Sequence, residues 1–145
     1  MGIFKTPIQI RWSDLDPNAH LRHSVYYDWG ALCRVEYFDS LQLTTTVMHQ
    51  LQVGPVVFRE ECVFKKEIRF GDKITIDLQL LKARRDISRW SIRHTIYKGE
   101  DIEAAIITVD GAWIDLTKRK LAPAPQLIRD VFNQMPHKGD FTWDE

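Results

Sequence analysis

Between Val56 and Leu116 apolar and polar side chains alternate, and this two-residue period is what most limits the folds open to the chain. Ile74, Ile76, Leu78 and Leu80 take turns with Thr75, Asp77 and Gln79. Trp90, Ile92, His94 and Ile96 do the same against Ser91, Arg93 and Thr95. Successive strand residues point to opposite faces, so each run predicts a strand with one buried face. Val56 to Ile68 and Ala104 to Leu116 are two more strands. Phe70-Gly71-Asp72, Arg84-Arg85-Asp86 and Lys98-Gly99-Glu100 mark turns short enough to make neighbours antiparallel. A fifth, short strand is expected at Lys5 to Trp12, where Ile8 and Ile10 alternate with Gln9 and Arg11.

The helical period appears once at length. From Val25 to about Asp39, Tyr26, Trp29, Cys33 and Tyr37 recur at steps of three and four, which predicts one long amphipathic helix with Ser24 as its N-cap. Gly30 inside it costs about 1 kcal/mol relative to Ala, so another backbone is expected to approach there. A short helix is expected from Thr44 to Leu51, and a terminal one from Pro123 to Met135, followed by a loose tail from His137 to Glu145. One helix cannot cover both faces of five strands. The economical α+β arrangement curls the sheet around the long helix. The bare sheet edge that remains is expected to pair with a second copy, giving a two-fold dimer.

The 145 residues suit one domain, 1–145, with its core at about 5–117 and a terminal helix and tail at about 118–145. Twenty basic and twenty acidic residues cancel, which excludes a nucleic-acid-coating protein. Cys33 and Cys62 match no CxxC spacing, no secretory signal is present, and no run approaches the roughly 18–20 apolar residues of a membrane span. A cytoplasmic protein is expected. The neutral total hides an uneven distribution: Lys82, Arg84, Arg85, Arg89 and Arg93 stand against Asp86 alone, and Lys65, Lys66, Arg69 and Lys73 form a second basic group. Such runs are ordinarily solvated strand faces; the alternative is attraction for phosphates.

Asp14, Asp16, Asn18, His20 and His23 crowd into ten positions just before the long helix. A helix start exposes unpaired N–H groups and partial positive charge, which would stabilise a carbonyl oxygen gathering negative charge. A nearby carboxylate or imidazole could attack that carbonyl or activate water. Asp and Asn before helices are also common caps and turn makers, the ordinary reading for Asp14. The spacing lacks His-x3-His or paired cysteines, so no metal site is expected.

The run from Ile10 through Asp14-Leu-Asp16-Pro-Asn18-Ala-His20 and His23 to Tyr26 and Trp29, continuing to Arg34-Val-Glu-Tyr-Phe38, resembles the signature of hotdog-fold acyl thioesterases of the 4-hydroxybenzoyl-CoA thioesterase type. Phe64-Lys-Lys-Glu67-Ile-Arg-Phe70-Gly71-Asp72 is similar to that family's strand junction. The resemblance implies a hotdog fold, a five-stranded antiparallel sheet wrapped around a central helix. It also implies a homodimer or dimer of dimers that hydrolyses acyl-thioesters and needs no cofactor beyond the CoA or phosphopantetheine of its substrate. The family's catalytic carboxylate falls on Asp16, its oxyanion-binding N–H on His23 and its acyl-channel aromatic on Tyr26. Asn18-x-His20 and Glu67 are similar instead to the acyl-ACP thioesterases of the same fold, which makes Asp16, Asn18, His20 and Glu67 the candidate catalytic set. Arg69, Arg85 and Arg89 are the candidates for the carrier's phosphates. A non-catalytic acyl-thioester-binding protein is the competing reading, since fold alone does not confer activity.

Overall fold

The computed structural model describes residues 2–144. Eight strands form one sheet: β1 (Lys5–Ile8), β2 (Val53–Phe64), β3 (Ile74–Asp77), β4 (Gln79–Arg84), β5 (Arg89–Lys98), β6 (Ile102–Asp115), β7 (Lys120–Leu121) and β8 (His137–Asp144). The helices are α1 (Val25–Ser40), α2 (Thr45–Gln50) and α3 (Gln126–Asn133). Leu78 separates β3 from β4, and both pair with β5, so together they act as one long strand. Across the sheet the order is β2, β6, β5, then β3 with β4. β1 closes the far edge of β3 in antiparallel sense. These are the five antiparallel strands expected from the sequence, curled against one long helix.

The two periods meet in the core. Trp90, Ile92, His94 and Ile96 on β5 are all buried, as are Tyr26, Trp29, Cys33 and Tyr37 on α1. Gly111 on β6 lies under the Trp90 indole, where an added Cβ would stand 2.4 Å from Trp90 Cη2 and 2.6 Å from the Val56 carbonyl oxygen. At the end of α1, the α3 ring Phe132 packs on Phe38, Trp90 and Trp113 at centroid distances of 5.9, 6.0 and 6.1 Å. The Tyr37 hydroxyl donates to the Val131 carbonyl at 2.9 Å, fastening the two helices.

Four local expectations are corrected. β1 stops at Ile8, because Trp12–Asp14 forms a 3-10 turn. The buried Asp14 carboxylate holds that turn, accepting from Arg11 N and Nη2 at 2.9 Å each, which is the structural role read for it. Burial pushes its carboxyl up, but the hydrogen bonds and charge of Arg11 outweigh this and leave it below the ordinary value. Ser24 occupies the N-cap position with helical torsions and makes no capping bond; its Oγ accepts from Arg22 Nε at 3.1 Å. Gly30 faces the side chain of His94 rather than a backbone, with a built Cβ 3.3 Å from the ring. The tail is no loose end: β8 pairs in parallel with β4, and Glu145 lies outside the described residues.

His94 makes stability pH-dependent. It is fully buried, its Nδ1 lies 2.9 Å from the Asp77 carbonyl and its Nε2 lies 3.1 Å from Arg34 Nη1. Nδ1 therefore carries the proton and Nε2 accepts from the guanidinium. Burial first, and then the Arg34 charge, push its pKa down to about 3. Unfolding restores an ordinary imidazole of about 6.5, so between these values the unfolded chain binds more protons and stability falls as pH falls. Urea unfolding between pH 6.5 and 5 should show stability falling with pH by about 1 kcal/mol per pH unit from this group. His94→Gln should flatten that slope.

Candidate active site

The loop after the 3-10 turn is built on the Asp16 carboxylate. Its Oδ1 accepts the N–H groups of Asn18 (2.9 Å) and His20 (3.1 Å), and Asp16 N donates to the His20 carbonyl at 2.8 Å. Ala19 takes the left-handed conformation this tight loop requires, at φ 63°. Leu21 N then donates to the Ile68 carbonyl at 2.8 Å, and His20 bridges to Arg69, so the loop is laid along the segment that follows β2. That contact sets His20 Nε2 3.3 Å from Glu67 Oε2. Arg69 Nη2 holds the same carboxylate oxygen at 3.1 Å, and Lys98 Nζ donates to the Glu67 carbonyl at 2.8 Å.

Asp16, His20, His23, Tyr26, Phe64 and Glu67 line one open pocket of about 290 Å³. The start of α1 forms part of it. Ser24 makes no side-chain cap, the Val25 N–H donates to the Arg22 carbonyl at 3.0 Å, and among the described residues the His23 N–H has no acceptor. Tyr26 is buried and meets Phe64 edge to face at 4.8 Å. Burial first, then Cys62 and Asp16, push its hydroxyl up to about 12, so Tyr26 is a neutral wall. Burial likewise pushes the Cys62 thiol up to about 11, which removes it as a nucleophile near neutrality. Among the described residues no cluster of His, Cys, Asp and Glu could hold a metal ion.

The structure brings together Asp16, His20, His23, Tyr26 and Glu67, and does not bring in Asn18. The Asn18 residue is exposed and takes part through its backbone N–H alone. Arg69 touches the site by holding Glu67. Arg85 and Arg89 lie elsewhere: Arg85 stacks over Trp143 at 5.4 Å and Arg89 over Phe58 at 5.1 Å. Lys98, which binds Glu67, and Arg89 are opposite ends of β5, roughly 30 Å apart at the strand rise. Arg89 lines a separate cleft of about 300 Å³ together with Arg59 and Lys82. Phe64, Lys65 and Lys66 line the pocket without having been singled out as site residues. Their place beside Glu67 in the strand-junction motif was the available signal.

The family profile of the thioesterase-like superfamily matches residues 10–132. The chain belongs to that superfamily. Its fold is shared by solved structures of low identity. A 1,4-dihydroxy-2-naphthoyl-CoA thioesterase from Synechocystis is 18% identical, with a TM-score of 0.82 over 94% of this chain and 100% of that one. A hypothetical protein from Staphylococcus aureus in complex with CoA is 18% identical, with a TM-score of 0.83 over 99% and 90% of the two chains. A second Staphylococcus aureus structure, a DHNA-CoA thioesterase, is 19% identical, with a TM-score of 0.75 over 83% and 80%. No curated protein matched. Among the described residues no helix of this superfamily member is long and apolar enough to cross a membrane.

Proposed function

We propose that the protein hydrolyses an acyl-CoA thioester to the free acid and CoA. One observation carries this reading: Asp16, Glu67 and His23, whose N–H has no acceptor among the described residues, line the same pocket just before α1. The thioester carbonyl points its oxygen at the His23 N–H. Asp16 takes a proton from water as the water oxygen bonds to the carbonyl carbon. The oxyanion that forms is stabilised at the helix start. Its collapse breaks the C–S bond and expels CoA as the thiolate, which takes up a proton. Glu67 fixes His20, and His20 orients the water. A His20→Ala variant should then lose about 10-fold in turnover, less than loss of a proton-transferring group; thiol release under saturating acyl-CoA measures it. Acyl-ACP, offered at matched concentration, separates the two carriers.

The second copy belongs to the same reading. Among the described residues β2 pairs only with β6, and its Val57, Phe58, Val63 and Phe64 are about half exposed, so a long edge strand with apolar side chains is left bare. Two-fold pairing of β2 with its counterpart is antiparallel. It carries the Arg59, Lys82 and Arg89 end of one subunit toward the Glu67 end of the other, where the phosphates of CoA can be met. Arg89→Ala should raise KM for acyl-CoA and leave KM for the acyl-N-acetylcysteamine thioester, which has no phosphate, unchanged.

A further inference from the structure

Phe64 and Glu67 share the pocket only because β2 is irregular at its end. They are three positions apart, a spacing that puts side chains on opposite faces of a regular strand. Here the N–H groups of Lys65 and Lys66 both donate to the Ala104 carbonyl, at 2.8 and 3.0 Å. Two residues thus oppose one, the count of a β-bulge, and the extra residue returns Glu67 to the side of Phe64. The bulge delivers a carboxylate and an aromatic ring to one cavity.

The lining of that cavity is sorted by polarity. Leu21, Tyr26 and Phe64 are its apolar part, and every other lining residue is polar or charged. An acyl chain gains by meeting the three apolar side chains, whereas the polar carrier does not. Leu21 and Tyr26 are buried and so fixed in place. Phe64, about half exposed, stands edge to face on Tyr26 with ring centroids 4.8 Å apart, at the close end of the separations such pairs favour. The pocket stops at these contacting rings. Tyr26 lies three residues past His23, roughly 4.5 Å at the helical rise, and about four carbons of an extended chain cover that distance at about 1.2 Å per bond. The cavity volume of about 290 Å³ agrees, since it falls at the small end of the roughly 300–1,000 Å³ usual for ligand pockets.

We propose that Phe64, set against Tyr26, is the specificity-determining end wall of the acyl pocket and restricts the protein to short acyl chains, with about four carbons beyond the carbonyl. The proposal rests on the acyl-thioester reading above. Cys62, the next side chain on the same face of β2, is small and half-buried, so removing the Phe64 ring lengthens the pocket rather than uncovering a second ring. The test measures kcat/KM for thiol release from butanoyl-, hexanoyl-, octanoyl- and decanoyl-CoA by the full-length protein. It is paired with calorimetric binding of the butyl and decyl thioethers of CoA, which cannot be hydrolysed. Without a wall each added methylene would tighten binding. With one, wild type should peak at butanoyl- or hexanoyl-CoA, and both kcat/KM and thioether affinity should fall at least about 10-fold by ten carbons, the least that a misfitting methylene costs in a fixed apolar pocket. Phe64→Ala should move the optimum up by at least about two carbons and bind the decyl thioether more tightly than wild type does. Phe64→Leu, which keeps an apolar branched side chain at the strand end, should move both in the same direction by less. A wild-type optimum at octanoyl-CoA or longer would overturn the proposal, as would a length profile unchanged in the folded Phe64 variants. A butyl preference in binding that Phe64→Ala relaxes, with no thiol released from any thioester, would support the wall and count against hydrolysis.

Discussion

Asp16→Asn is expected to lose at least about 100-fold in turnover, the lower end of what a positioned proton acceptor contributes, with no change in thermal midpoint. The reason for choosing Asn lies in the two jobs the carboxylate does. Its Oδ1 holds the loop by accepting from the N–H groups of Asn18 and His20, while among the described residues Oδ2 makes no hydrogen bond. An amide oxygen can keep the first job and cannot do the second. Asp16→Ala removes both, so it should be as inactive as the Asn variant and also lose about 1 kcal/mol with its loop bonds. Equal turnover of wild type and Asp16→Asn, with Asp16→Ala impaired, would make Asp16 a turn maker only.

Phe132→Ala is expected to lower stability by about 3–5 kcal/mol, the range for removing a buried ring from a packed core. Phe132 is 1% exposed and touches Phe38, Trp90 and Trp113. Trp90 Nε1 and Trp113 Nε1 have no acceptor among the described residues. Water entering the new cavity could reach those donors, so the loss should fall nearer the lower figure. At this chain length a loss of about 3 kcal/mol lowers the midpoint by roughly 10 °C. Turnover measured well below the midpoint should be unchanged, because α3 plugs the end of the core remote from the α1 start. Differential scanning calorimetry with a parallel assay at low temperature separates the two effects.

The strands around Ile74–Leu80 and Trp90–Ile96 were legible because burying one face imposes a period that no other element shares. The tail was not, since β8 is strand by virtue of the edge that β4 offers, a tertiary cause that composition does not carry. Asp16, His20 and Glu67 could be named from the family resemblance, and they meet because backbone bonds between Leu21 and Ile68 zip their segments together. Asn18 belonged to the same motif, yet its side chain is outside the pocket: an Asx turn uses the backbone N–H of the residue two positions on and leaves that residue's amide free to point to solvent. Arg85 and Arg89 show a different limit. Charge clustering along the chain marks a basic strand end but not which end of the strand faces the site. Gly30 was recognisable as a place of close approach, and only the packed structure identifies its neighbour as an imidazole.

The most direct test of the central claim is steady-state release of free thiol from a panel of acyl-CoAs by the wild-type, full-length protein, with CoA binding measured on the same sample. The account predicts thiol release from at least one acyl-CoA, saturable in substrate and lost in Asp16→Asn. Tight binding of CoA with no thiol released from any member of the panel would contradict it and make the protein a binder of acyl-thioesters.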